Sequence, residues 1–378
     1  MKNVYLDNAS TTAIRPEVIS AMAEVMAKTY GNPSSTHSRG RQAKAIVENS
    51  RKSIAGLLNA EAKEIIFTSG ATEAINWIIR SAVKDLKVKR IITAKTEHHA
   101  VLHAVEAMTT EFGITAGYVK LQPSGAVDIT NLVELLSDNV PTLVCLMHVN
   151  NETGTILDIE RVGRICTQYN AWFLSDTVQS IGKEEIDLQK VPVDFLVASA
   201  HKFHGPKGVG FAFIRKNSGL HPMIFGGEQE KGLRAGTEAV HQNAGMAKAL
   251  ELSYTNLHEE RQHITDLKQY LLSQLDTHFP GYKINGNSES NDSQFYNIIN
   301  VLFPFDERKT AMILFHLDMK GIAVSRGSAC QSGSIRPSHV LKEILSDDDI
   351  RRPSLRISFS HYNTREDINL LIEALKAL

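Results

Sequence analysis

From about Pro16 to Leu250 short apolar runs alternate with amphipathic stretches, and this alternation constrains the fold more than any other feature. "EIIFTSG", "KRIITAK", "TLVCLMHV", "AWFLSD", "DFLVASA" and "GVGFAFIR" are apolar runs too short for a helix and bounded by turn residues. Between the first of them, "ATEAINWIIRSAV" and "HHAVLHAVEAMTTEF" repeat apolar residues at helical spacing. Strands that are apolar on both faces and separated by helices require an α/β fold with a mostly parallel sheet between helices. One long helical pattern runs from Gln242 to Leu275. Beyond it "YNIINVLF", "IAVSRG" and "LRISFS" read as strands, with helices at "RKTAMILFHLDMK" and "REDINLLIEALKAL". The pattern predicts a large domain over residues 14–253 and a smaller α+β domain built from 1–13 and 254–378. The polar stretch "NGNSESNDSQ" is read as a loop of the smaller one.

The chain has 41 basic and 42 acidic residues, a net charge of -1, and so no general attraction to nucleic acid or to an anionic membrane. No apolar run is long enough to span a bilayer, and "MKNVYLDNASTT" lacks the charged-then-apolar pattern of a signal peptide. The three cysteines, Cys145, Cys166 and Cys330, are widely separated and have no metal-ligand or disulfide spacing. A soluble protein of the reducing cytoplasm is expected. Cys145 and Cys166 sit in apolar patterns and read as core residues. Cys330 instead lies in "GSACQSGS", among small residues that neither fill a core nor build an element.

Lys202 directly follows the strand "DFLVASA", in "SAHKFHGPKG". An ammonium at the end of a buried strand is costly unless it serves chemistry, and a lysine whose surroundings favour the neutral amine can form an imine. Asp176 ends the strand "AWFLSD", at the sheet edge where α/β proteins gather ligand groups. A buried aspartate there suits the protonated ring nitrogen of pyridoxal 5'-phosphate, which needs a carboxylate partner to act as an electron sink. Gln179 is placed to donate to the ring's phenolic oxygen, with Val178 as an apolar face beneath the ring. "FTSGATEAIN" supplies a phosphate cup: Gly70 permits close approach, and Ala71 and Thr72 offer N–H groups at a helix N-terminus. Ser199 and His201 flank the lysine and can complete the cup. Of the histidines in "TEHHAVLH", His98 is the candidate to stack on the ring, and His99 reads as a solvated loop residue.

Together these motifs resemble the cysteine desulfurases of the NifS/IscS type, within the class-V aminotransferases of pyridoxal phosphate fold type I. The resemblance runs in order through "YLDNASTT", "GNPSSTH", "FTSGATEAIN", "TEHHAVLH", "MHVNNETG", "DTVQSIGK", "SAHKFHGPKG", "GGEQEKGLRAGT", "GSACQSGS", "PSHVL" and "LRISFS". It implies that Lys202 is the Schiff-base lysine, Asp176 the partner of the pyridine nitrogen and Gln179 the phenolic-oxygen contact. His98 becomes the stacking and proton-handling residue, and Ala71, Thr72, Ser199 and His201 the phosphate ligands. Thr237 would reach the phosphate of a second subunit, which implies a homodimer. Asn151 would lie near the cofactor and substrate, and Arg356 would clamp the substrate carboxylate. Cys330 becomes the sulfur acceptor, on a tether resembling that of members with a long catalytic loop.

The implied activity converts L-cysteine to L-alanine and leaves a persulfide on Cys330. That sulfur would pass to an acceptor such as an iron–sulfur scaffold or a tRNA-thiolating enzyme. A selenocysteine lyase shares almost all of these residues. An aminotransferase of the same fold leaves Cys330 without a purpose, and a non-catalytic scaffold leaves Lys202, Asp176 and Arg356 without one. Two departures are visible. The residue after Asp176 in "DTVQ" is threonine where many members have alanine, and the sequence ends at "EALKAL", without the longer tail through which some relatives dock a scaffold.

Overall fold

The computed structural model describes residues 2–286, 294–310, 312–326 and 338–378. Cys330 and most of "NGNSESNDSQ" lie outside the described residues.

The central sheet is formed by β2 (Ile65–Thr68), β3 (Arg90–Thr93), β4 (Thr115–Tyr118), β5 (Thr142–Cys145), β6 (Trp172–Asp176), β7 (Phe195–Ser199) and β8 (Gly210–Ile214), after a short first strand β1 (Val4–Tyr5). Its order is β2-β8-β7-β6-β5-β3-β4, and β8 alone runs against its two neighbours. Side chains alternate across these strands, so consecutive residues enter two different apolar layers. Phe173, Leu196, Phe211 and Phe213 pack with Val47, Ile54, Val162 and Met246 on one face. Leu174, Phe195, Val197 and Ala212 pack with Ile78, Val101 and Val105 on the other. The first face is covered by α1 (Pro16–Lys28), α2 (Ser38–Leu57), a helix α6 (Ile159–Gln168) and α7 (Val240–Thr255). The second is covered by α3 (Ala71–Lys84) and α4 (His99–Phe112), while α5 (Ile129–Leu136) adds Leu132 and Leu136 to the first face. Each large side chain so buried contributes about 1.5–3 kcal/mol.

A third apolar cluster joins Val4 and Leu6 to residues from Ile264 to Leu375. It lies around an antiparallel sheet of β9 (Lys283–Ile284), β10 (Ile298–Leu302) and β12 (Ser354–Ser358), with β1 paired to β11 (Ile322–Ala323). Helices α8 (Leu257–His278), α9 (Ile313–Met319), α10 (His339–Ile344) and α11 (Arg365–Lys376) complete this region. The long helical pattern from Gln242 is two helices, not one. Asn256 leaves the helical region at φ -101° and ψ 8° and serves both as the end of α7 and the start of α8. Cys145 and Cys166 are each about 1 % exposed within the two main layers. Burial pushes both thiols up, which leaves neither suited to act as a thiolate.

Candidate active site

Three strand ends meet at one edge of the sheet. Thr68 of β2 and Ser199 of β7 both pair with Gly210 of β8, and Asp176 ends β6 beside Val197. A Cβ at Gly210 would collide with the Ala198 carbonyl oxygen and lie 2.8 Å from Gly70 Cα, so glycine lets the turn before α3 close onto the sheet. Gly70 itself has φ 151° and no capping side chain. This edge also lies where connections diverge, since β3 continues to β4 on one side and is joined by β5 on the other. Ligand crevices of α/β sheets form at such divisions.

A cavity of about 260 Å³ opens there. Its polar lining includes Thr72, His98, Asn151, Asp176, Gln179, Ser199, His201, Lys202 and Arg356, with Ala71 beside them. Ile75, Met147, Val149 and Val178 supply apolar walls. Thus nearly all residues singled out in the sequence converge on one space. Thr237 does not: it lines a separate cavity of about 230 Å³ with Ser69, Gly208 and Gly236.

Asp176 is 8 % exposed and accepts the Val178 N–H at 3.0 Å. Among the described residues no basic side chain comes within 4.0 Å of its carboxylate, and burial raises its pKa above the ordinary aspartate range. Lys202 Nζ donates to the carbonyl oxygens of Ala9 and Ser10, each at 2.7 Å. Gln179 Nε2 donates to the same Ala9 oxygen at 2.8 Å, while its Oε1 is buried without a partner. The Gln179 donor expected to face the cofactor therefore faces the N-terminal segment.

His98 caps α4, and its Nδ1 accepts the Ala100 N–H at 3.1 Å. With Nδ1 committed as an acceptor, the neutral ring carries its proton on Nε2. Burial lowers its pKa below the ordinary imidazole value, so the neutral form prevails at neutral pH. His98 thus starts as a donor through Nε2–H. His99 is not a solvated loop residue. Its ring lies 4.3 Å from that of His339 and 5.1 Å from that of His103, and burial lowers its pKa to about 4.

The phosphate cup also differs in detail. The Ala71 N–H donates to Ser199 Oγ at 2.8 Å, so that donor is engaged within the protein. His201 Nδ1 lies 3.2 Å from Thr11 Oγ1, and burial brings its pKa down to about 4. Thr72 remains at the first turn of a helix, where N–H groups have no intrahelical acceptor.

Arg356 is 1 % exposed on β12, whose backbone exchanges bonds of 3.3 and 2.7 Å with Ser325. Its guanidinium donates to Asp7 Oδ1 at 2.7 Å, to Ser10 Oγ at 2.5 Å and to the Asn151 carbonyl at 2.9 Å. Its Nε is buried without a partner. The arginine is therefore both a salt bridge and a wall of the cavity.

The segment Asp7–Thr12 emerges as a hub that the sequence reading missed. It holds Lys202, Gln179 and Arg356 by the bonds above, and Thr12 bonds the His201 carbonyl through both N and Oγ1. Asn8 Nδ2 donates to the Ser358 carbonyl at 2.9 Å, which ties the segment to β12. The run "DNASTT" was a usable signal, since so many small hydrogen-bonding residues are not needed to end a surface strand. Glu97 was missed as well. It is 2 % exposed, its Oε1 accepts the Met147 N–H at 2.8 Å and its Oε2 has no partner. Burial raises its pKa well above the ordinary range, and its bond to the Met147 N–H joins the loop after β3 to the loop after β5.

The cavity suits pyridoxal phosphate. A buried carboxylate without a cation matches a pyridinium, apolar walls match the faces of a ring, a helix N-terminus matches a phosphate, and Lys202 matches the aldehyde.

Comparison with known proteins agrees with this geometry. A cysteine desulfurase IscS of Dictyoglomus turgidum is 39% identical over 379 residues, covering 100% of this chain and 94% of that protein. A solved NifS-like protein superposes with a TM-score of 0.89 at 36% identity, covering 100% of this chain and 99% of the other. A structure of SspA in complex with cysteine matches with a TM-score of 0.82 at 31% identity, covering 96% of this chain and 100% of that one. The family model for class-V aminotransferases matches residues 4–371, and the chain belongs to that pyridoxal phosphate-dependent family, with its fold type I architecture.

Proposed function

We propose that this protein is a cysteine desulfurase that converts L-cysteine to L-alanine and passes the sulfur to Cys330. The observation that carries the reading is the convergence of Lys202, Asp176, His98 and Arg356 on one cavity sized for a cofactor and a small amino acid. Lys202 would hold the cofactor covalently, Asp176 its ring nitrogen, and Thr72 and Ser199 its phosphate. When bound, pyridoxal phosphate supplies an aldehyde that captures amines and a ring that withdraws electrons from the substrate Cα.

The chain's residues account for the remaining steps. Arg356 presents its buried Nε and a guanidinium oriented by Asp7 and Ser10 to a carboxylate, so that substrate enters with one end fixed. The Lys202 amine, when free of the cofactor, would take the Cα proton. The Ala9 and Ser10 carbonyls steady the ammonium that results. Asp176 would pair with the ring nitrogen of the cofactor and keep it protonated. His98, neutral with its proton on Nε2, would donate a hydrogen bond to the substrate side, and the thiol proton of Cys330 would end on the substrate Cβ. The Cys330 thiolate then attacks the substrate sulfur. The Cβ–S bond breaks, an S–S bond forms on Cys330, and protons returned to carbon complete alanine.

Other parts of the reading rest on the family resemblance. Thr237, apart from the main cavity, is assigned to the phosphate of a second subunit in a homodimer. The separate apolar cluster of the C-terminal part supports a large domain over 14–253 and a small one from 1–13 and 254–378. The sulfur acceptor is assigned to the class of iron–sulfur scaffolds or tRNA-thiolating enzymes. Among the described residues no helix is long and apolar enough to cross a membrane, and a cytoplasmic location is part of the proposal.

Asp176→Asn tests the electron-sink assignment. Alanine formation should fall by roughly a hundredfold or more, with the cofactor's visible absorbance retained, because the ring nitrogen loses its charged partner. Unchanged turnover would remove Asp176 from this role.

A further inference from the structure

We propose that Ser338 and His339 are positioning residues for sulfur transfer, which fasten the chain that follows Cys330 to the two loops carrying His98 and Asn151. The inference rests on the reading of Cys330 as the sulfur acceptor.

Both residues belong to "PSHVL", a motif that none of the steps above uses. The Ser338 hydroxyl caps α10 by accepting the Val340 and Leu341 N–H groups at 3.0 and 3.2 Å. With its lone pairs turned to the helix, it donates its proton to Glu152 Oε2. Glu152 is fully buried in the loop after β5, next to Asn151 of the cavity wall. His339 Nε2 lies 2.9 Å from the Glu97 carbonyl oxygen, which can only accept, so the ring carries its proton there and donates it. Glu97 directly precedes His98 in the loop after β3. The His339 ring also lies 4.3 Å from that of His99. Two consecutive residues thus reach two different loops, each one position from a group that lines the cavity.

The chain before Cys330 is fixed at the same cavity. Ser325 exchanges its backbone bonds with Arg356, and the Arg326 guanidinium donates to the Thr310 carbonyl at 3.2 Å. Cys330 lies four residues after Arg326 and eight before Ser338. At about 3.5 Å per residue, its backbone can stand no farther than roughly 14 Å from the first attachment and roughly 28 Å from the second. A segment held at both ends explores far less volume than one held at a single end, and the effective concentration of a group it carries rises accordingly. The Ser338 and His339 bonds put the second attachment beside His98, on the side where the substrate sulfur must be met. Glu343 lies 3.6 Å from Lys95 of the same loop, but that exposed pair adds little by itself. Loss of both bonds opens the first turn of α10 and moves the attachment away from the cavity, to the buried Val340 and Leu341.

Two readouts on the loaded enzyme test this, with L-cysteine added and no reductant. The first is the cysteine concentration that gives half of the change in cofactor absorbance. The second is the rate at which the Cys330 peptide gains one sulfur atom by mass at saturating cysteine. In Ser338→Ala combined with His339→Ala, the rate should fall roughly tenfold while the half-saturating concentration stays within about twofold of wild type. Ser338→Thr, which keeps the hydroxyl, should keep the wild-type rate. Equal rates in wild type and a folded double variant would overturn the proposal. A parallel loss of binding and rate would do so too, since the two residues would then merely support the cavity. Should the double variant not fold, a rate in Ser338→Thr lowered as far as roughly tenfold would contradict the proposal. Absence of extra sulfur on the wild-type Cys330 peptide would instead contradict the acceptor reading, and the proposal with it.

Discussion

Replacement of Lys202 by alanine should reduce alanine formation from L-cysteine by at least about 10³-fold, since the substitution removes both the covalent attachment and the base for the Cα proton. The chain should still fold. Lys202 lies in a single helical turn after β7, and its amine donates to the Ala9 and Ser10 carbonyls. Those carbonyls can bond water in the emptied space. Alanine assays on wild type and variant, with circular dichroism on both, separate loss of chemistry from loss of fold. Residual turnover near the wild-type level would move the chemistry to another amine.

The second large effect concerns stability. Arg51 is 2 % exposed on α2 and donates to both carboxylate oxygens of Glu230, at 2.6 and 2.9 Å. It also donates to the Ile65 carbonyl at 2.7 Å, and Glu230 accepts the Phe67 N–H at 2.9 Å. The pair thereby clasps β2, which leads directly into the phosphate cup. Glu230 and Lys231 adopt left-handed backbone conformations, φ 47° and 61°, at a cost of roughly 1–2 kcal/mol each. The buried pair holds them there. Arg51→Met should destabilise the protein by about 3–5 kcal/mol, because Glu230 is left buried without its cation. Arg51→Met combined with Glu230→Leu should recover a large part of that loss. Urea unfolding of the two variants decides the matter. Equal stability of Arg51→Met and wild type would mean that the pair holds nothing in place.

These residues also show where sequence reading succeeds and where it stops. The central strands were legible because each is an apolar run whose two faces meet helices. The edge strand β4, "TAGY", was not, since its two ends are exposed, its middle is only half-buried and it contains a glycine. The break at Asn256 was hidden because neither glycine nor proline marks it. Lys202 and Asp176 were legible since a charge at the end of an apolar strand stands out. The hub at Asp7–Thr12 was not, because it acts largely through the carbonyls of Ala9 and Ser10, which no side chain advertises, on a lysine 193 and 192 residues away. The exchange of partners at Gln179, His98 and Arg356 depends on hydrogen-bond direction, which no spacing encodes.

The central claim is tested most directly by incubating L-cysteine and a reductant with wild type and Cys330→Ala, and measuring alanine and sulfide together. Wild type should form the two in equal amounts. Before reductant is added, the Cys330 peptide should carry one extra sulfur atom by mass, and Cys330→Ala should form neither product. Pyruvate and ammonia from both proteins, or sulfide from Cys330→Ala at the wild-type rate, would contradict transfer of sulfur to a protein thiol.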